Sequence, residues 1–222
     1  MSRRKSKKKS NPPQIHVYCE GESEKIYLET LRNLIGIKNR HKLVVNSERK
    51  QGIDLYNYVR NKYKRHDFEY SPVDIIIVVD KDDTAIDELE KLKNKCLESD
   101  YLLIYSNTCF ELWLLLHFEK VTFFTTRENL KYRLSNLLGR NYKKTDKRFF
   151  EQVVMNYDVA LSNAAKMKAG IPDFEKNPYT NMFELLSKYF NMNWKIKSYY
   201  EIWNRSNFFI LLKIIIVQKI KR

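Results

Sequence analysis

The run VDIIIVVDKDD holds no polar residue between Asp74 and Asp80 and then delivers Asp80, Asp82 and Asp83 in quick succession. Asp80 and Asp82 are two apart, so in an extended chain both side chains leave one face and Lys81 the other. Carboxylates so placed repel one another unless a cation lies between them. Mg²⁺ answers that need, accepting one or two carboxylates together with substrate phosphate oxygens. Glu20 closes another apolar stretch, QIHVYCE, in a matching strand-end position. A D-x-D alone is common; its pairing with Glu20 favours a metal over a solvated turn. Asp83, beside Thr84, reads as a turn or helix-cap residue.

Strands and helices must bring these acids together. QIHVYCE (14–20), KLVVN (42–46), VDIIIVVD (73–80) and YLLIYSN (101–107) are rich in β-branched and aromatic residues and read as strands. Each is followed by a helical pattern: Leu28, Leu31 and Ile35; Leu55, Val59 and Tyr63; Ile86, Leu89, Leu92 and Cys96; and CFELWLLLHF. Ser23 or Glu22 is placed to cap the first of these helices, and Thr84 with Asp87 forms a capping-box pattern before the third. Four strand-then-helix units imply an α/β fold with a mostly parallel sheet flanked by helices. Such sheets bind ligands at the carboxyl ends of their strands, where strand order reverses. From 121 onward the pattern turns helical. The chain therefore divides into a basic tail (1–13) expected to be disordered, an α/β domain (14–120), a helical extension (121–190) and an apolar, basic C-terminal tail (191–222).

The formal charge of the 222 residues is +14; removing the six Lys and Arg of MSRRKSKKKSNPP leaves +8 on the rest. Such an excess makes nucleic acid the leading partner. In RNYKKTDKRFF, Lys143, Lys144, Lys147 and Arg148 interleave with Tyr142, Phe149 and Phe150. Basic groups for phosphates and aromatics for unstacked bases are a single-strand-binding composition, although a solvated loop with buried aromatic anchors has the same one. Cys19, Cys96 and Cys109 lie far apart with no C-x-x-C, and no apolar leader opens the chain. This favours a reduced, cytoplasmic protein without a zinc knuckle. GxxxxGK[ST] and GxGxxG are both absent, which argues against the nucleotide sites those motifs build. FFILLKIIIV near the C-terminus is too short to span a bilayer and carries Lys213. It is expected to pack on the body, on another chain in an oligomer or complex, or on a membrane surface, without an integral span.

The turn Glu20-Gly21-Glu22-Ser23-Glu24 with the later Asp80-Lys81-Asp82 resembles the Toprim fold. SNTCFELWLLLHFE (106–119) is similar to the SN-x-x-FE-x-WLLLHF signature of the RloB-like family, and NPYTNMFELL (177–186) to an NP-rich helix start late in that family. The likeness covers 14–190. Thr108 stands where a proline is common, a departure expected to touch the turn and not the site. What the resemblance implies is a metal-dependent nuclease, acting on DNA or on RNA such as tRNA, in a bacterial anti-phage defence system with an ATPase partner. Glu20, Asp80 and Asp82 are then the Mg²⁺ or Mn²⁺ and catalytic positions. Glu20 shares a metal or serves as general base for water, and Lys143 or Lys144 neutralises developing charge.

Glu111 opens the helix after the fourth strand, where a carboxylate suits the helix dipole and equally suits the metal crevice. His117 is expected to pack elsewhere, and Trp113 to Leu116 to be core. Two rivals stand beside the nuclease. One is a non-catalytic nucleic-acid-binding or regulatory subunit whose acids are remnants. The other is a receiver-like phosphoacceptor, disfavoured because Gly21, not a second acid, follows Glu20 and because the charge is so basic.

Overall fold

A computed structural model describes residues 12–64, 72–165, 167 and 173–190. The expected basic tail, save residues 12 and 13, and the apolar C-terminal tail lie outside the described residues. Five strands form one sheet: β1 (Gln14–Cys19), β2 (Lys42–Ser47), β3 (Asp74–Asp80), β4 (Leu102–Asn107) and β5 (Tyr179–Thr180), in the order β2-β1-β3-β4-β5. The first four are parallel, and β5 closes the β4 edge antiparallel. The chain leaves β1 for β2 on one side and returns to β3 on the other, so strand order reverses between β1 and β3. Cys19 pairs with Val78 there, which makes Glu20 and Asp80 emerge from adjacent strand ends.

Alternation along the strands builds two cores. Ile15, Val17, Ile76, Val78 and Ile104 face one cluster, while Tyr18, Ile77, Val79, Leu103 and Tyr105 face the other. Burial on both faces is why β3 reads as an unbroken apolar run. The second cluster is covered by α2 (Gly52–Lys64) and α3 (Ile86–Glu98). The first is covered by α1 (Glu22–Leu34), α4 (Glu111–Leu116), α5 (Arg127–Leu138), α6 (Lys147–Val154), α7 (Tyr157–Ala165) and α8 (Met182–Tyr189). Residues after 121 thus share the core of the sheet, and they supply β5. That strand is two residues long, too short for any alternation to announce it.

Several local expectations give way to turn geometry. Gly21 is the N-cap of α1, so Glu22 and Ser23 lie inside its first turn and cap nothing; the Ser23 hydroxyl instead donates to the Lys144 carbonyl at 3.2 Å. The Thr84–Asp87 box does not form. The Thr84 N–H donates to the Lys81 carbonyl at 2.8 Å, a turn that uses up this segment, and α3 starts at Ile86 behind an Ala85 N-cap. Ile86 is consequently 39% exposed, while Leu89, Leu92 and Cys96 are buried. Gly139 ends α5 in the left-handed conformation at φ 63°. Among the described residues no helix is long and apolar enough to cross a membrane.

The NPYTN segment works as an edge seal. The Asn181 side chain accepts from the Tyr105 N–H at 2.7 Å and donates to the Leu103 carbonyl at 3.0 Å, extending the ladder where β5 ends. Ser106 and Thr180 join their hydroxyls at 3.0 Å. Asn177 accepts from the Thr125 N–H and donates to the Thr125 carbonyl, both at 2.9 Å. Asn181→Leu strands two buried backbone groups, at about 1–3 kcal/mol each. Urea unfolding of this variant is expected to show a loss of about 2–4 kcal/mol with an unchanged m-value.

Candidate active site

Glu20 is the first residue beyond β1 and binds two other segments. Its Oε1 accepts the Gly52 N–H that opens α2, at 2.6 Å, and its Oε2 accepts the Asp80 N–H at 3.4 Å. Gly21 leaves room for the Glu24 carboxylate: a β-carbon there would stand 2.7 Å from Glu24 Oε2 and make that side chain shift. The chain turns so closely that the Glu24 carboxylate, one helical turn along, folds back over it. Glu24 is itself buried. Glu111, at the start of α4, is 1% exposed and meets the Lys144 ammonium at 3.5 Å. Asp82 forms an ion pair with Arg127 of α5, and its N–H donates to the Thr108 carbonyl at 3.1 Å.

The acids crowd one another. Burial raises the Glu20 carboxyl to about 7 against the pull of its two N–H donors, and the charges of Glu24 and Asp82 add to the rise. Burial, then the Glu111 charge, lifts Glu24 to about 7, with Lys144 opposing. Asp80 is driven well above the carboxylate range by burial and by the charges of Glu24, Glu20, Asp82 and Glu111. Burial works against the Lys144 ammonium, yet Glu111, Glu24 and Asp80 outweigh it and hold its pKa above the usual value. Together these residues line an open cleft of about 960 Å³ at the sheet's switch point.

A family model described as RloB-like protein matches residues 15–188, well over half of the chain. The chain belongs to the RloB-like family. Neither a search of curated proteins nor one of solved structures returned a match.

Most of the site residues expected from the sequence gather at this one cleft. Glu20, Asp80, Asp82, Glu111 and Lys144 all line it, whereas Lys143, Lys147 and Arg148 are exposed but outside the lining. Asp82 does not share the strand face of Asp80. β3 stops at Asp80, and Asp82 sits at φ 41°, so the turn, not strand alternation, delivers it. Phe149 and Phe150 are fully buried and Tyr142 partly so, which makes them core anchors and not a stacking platform. His117 is buried outside the cleft. Its Nδ1 bonds the Trp113 carbonyl at 2.9 Å and its Nε2 the Tyr27 hydroxyl at 3.1 Å, while burial lowers its pKa to about 3. It is a neutral structural residue, and Trp113 to Leu116 are core. Two participants escaped the sequence reading. Glu24 had a signal, being the last glutamate of EGESE; Arg127 had none, because the ion pair joins residues far apart in the chain.

The donors fit a hard divalent ion by their chemistry: they are all carboxylate oxygens, and burial together with mutual repulsion makes Glu20, Glu24 and Asp80 hold protons that a cation would displace. Among the described residues no three acid, imidazole or thiol groups stand as a ready coordination set. Asp82 and Glu111 hold Arg127 and Lys144 instead, and either acid would have to exchange that partner to join an ion with Asp80 and Glu20.

These raised values set a pH dependence. A carboxyl whose folded pKa exceeds its unfolded one binds more protons in the folded state, so stability falls as pH rises through that interval. For Glu20 and Glu24 the interval runs from the ordinary glutamate value of 4.5 to about 7. The metal-free protein is expected to melt lower at about pH 8 than near pH 5. Asp80→Asn, which removes one of the repelling charges, is expected to melt above the wild type at the higher pH and to converge with it at the lower. Added Mg²⁺ should raise the wild-type midpoint at the higher pH and leave Asp80→Asn nearly unmoved, as scanning calorimetry will show.

Proposed function

We propose that the protein is a Mg²⁺- or Mn²⁺-dependent nuclease, the effector of a bacterial anti-phage defence system working in the cytoplasm with an ATPase partner. The observation that carries the chemistry is the convergence of Glu20, Glu24, Asp80, Asp82 and Glu111 on one cleft with two cationic side chains beside them. The defence setting and the ATPase rest on the resemblance to the RloB-like and Toprim pattern, as does the choice of Glu20, Asp80 and Asp82 as the core of the site.

Asp80 with Glu20 and Asp82 would hold the ion, which supplies polarisation of the phosphodiester and an acidified water. Glu20 takes the proton of the attacking water. That role needs Glu20 within hydrogen-bond reach of the water. The water oxygen forms a bond to phosphorus as the bond to the departing sugar oxygen breaks. Lys144, freed from Glu111, faces the negative charge that gathers on the phosphate oxygens. Arg127 keeps Asp82 in the turn beside Asp80 until the ion takes its place.

One observation favours a second reading, a non-catalytic nucleic-acid-binding subunit: Asp82 and Glu111 are already neutralised by protein cations. Purified protein, alone and with a neighbouring ATPase, is to be incubated with pooled tRNA, mRNA and DNA in Mg²⁺ or Mn²⁺. Cutting is expected, with losses of about 10³-fold or more in Glu20→Gln and Asp80→Asn and of about 10²-fold in Lys144→Ala. Nucleic-acid binding without metal-dependent cutting in any combination transfers the conclusion to the binding subunit.

A further inference from the structure

The cleft has a second basic bank that the acid site does not use. Arg49 and Lys50, in the loop between β2 and α2, line the same cleft as Asp80, Glu111 and Lys144. Both are exposed. Arg49 holds φ 51°, a left-handed conformation in which glycine or asparagine costs less, and it forms no ion pair among the described residues. Lys50 is held in place: its ammonium lies 5.6 Å from the centre of the Tyr58 ring, and the Tyr58 hydroxyl bonds Glu48. A cation over a tyrosine face is attracted to it and loses part of its freedom to swing.

The two banks differ in how their charge is spent. Lys144 is engaged by Glu111, and Arg127 by Asp82. Arg49 and Lys50 keep their full charge for something outside the protein. Glu20 separates the banks. Its carboxylate touches Gly52 on the Arg49 side and Asp80 on the other. Asp54 of α2 and Glu22 of α1 also line the cleft, so Arg49 and Lys50 are the cations among the lining residues on the bank beside α2. A polyanion that lies across such a floor needs positive charge on both sides of it.

We infer that Arg49 and Lys50, with Tyr58 positioning Lys50, bind a non-reacting phosphate of a polynucleotide strand whose neighbouring phosphate lies over Glu20 and Asp80. The inference rests on the reading of the cleft as a nucleic-acid site and is independent of whether the strand is cut. The arm reads phosphate and not base, so it takes RNA and DNA strands alike.

The test is fluorescence anisotropy of fluorescein-labelled single-stranded RNA and DNA oligonucleotides against the full chain, over a salt series with Ca²⁺ as the divalent ion. Arg49→Glu/Lys50→Glu is expected to weaken binding by about tenfold or more. It should also flatten the dependence of log Kd on log salt by about 0.7, the value for the loss of one phosphate contact on a single strand. Lys91→Glu/Lys95→Glu, an equal change of net charge on α3 outside the cleft, is expected to stay within about twofold. Arg49→Gly separates binding from folding: the left-handed backbone suits glycine, so the melting temperature should hold while affinity falls. If the double reversal matches the α3 control, the arm is not a phosphate subsite, and the nucleic-acid reading of the cleft survives on wild-type binding. If the wild type binds neither strand, both the subsite and that reading fall.

Discussion

The structure turns on keeping like charges together. Asp80 feels Glu24, Glu20, Asp82 and Glu111 at once, and two unit charges 4 Å apart repel by about 4 kcal/mol where the effective dielectric constant is about 20. A few such pairs rival the whole stability of a domain, about 5–15 kcal/mol. The fold offsets this with the Gly52 N–H on Glu20, Arg127 on Asp82 and Lys144 on Glu111. It also lets the innermost carboxyls keep their protons near neutral pH. Elements distant in sequence are recruited to supply these donors: the first N–H of α2, the first residue of α5, and the loop before α6. The helices after the sheet belong to the site as much as the strands do.

The same logic explains why two separate stretches mark the RloB-like family. SNTCFE supplies the end of β4 and the first residue of α4, so it carries Glu111 into the cleft and provides Thr108, whose carbonyl holds the Asp82 N–H. NPYTN supplies the strand that closes the β4 edge, and its Asn177 donates to the Thr108 hydroxyl at 3.2 Å. One stretch carries the acid and the other braces the backbone that aims it.

The strands and the acids on them were legible because each depends on local pattern: an apolar run ending in Asp80, another ending at Glu20, a glycine where the chain must turn. Helices α1 to α5 followed from their own periodicity. What stayed hidden is tertiary. The break between α6 and α7 near Met155 has no proline or glycine to announce it. Asp82 looked like an extension of β3 because nothing in KDD signals a positive φ. Phe149 and Phe150 looked available to bases because basic neighbours do not say which way an aromatic ring faces; α6 turns both inward. Lys144, by contrast, was found by its composition, and packing alone then singled it out from Lys143, Lys147 and Arg148.

The bonds of Glu20 also impose a schedule. Its partners are 32 and 60 residues further along the chain, the counter-ion of Glu111 follows at Lys144, and the edge clamp on β4 waits for Asn181. During synthesis from the N-terminus the carboxylates are made early and meet late. A ribosome-bound fragment carries the acids without the geometry that arms them. A chain whose mature cleft attacks nucleic acid would therefore be harmless to the transcript being translated until nearly all of the described fold has left the exit tunnel.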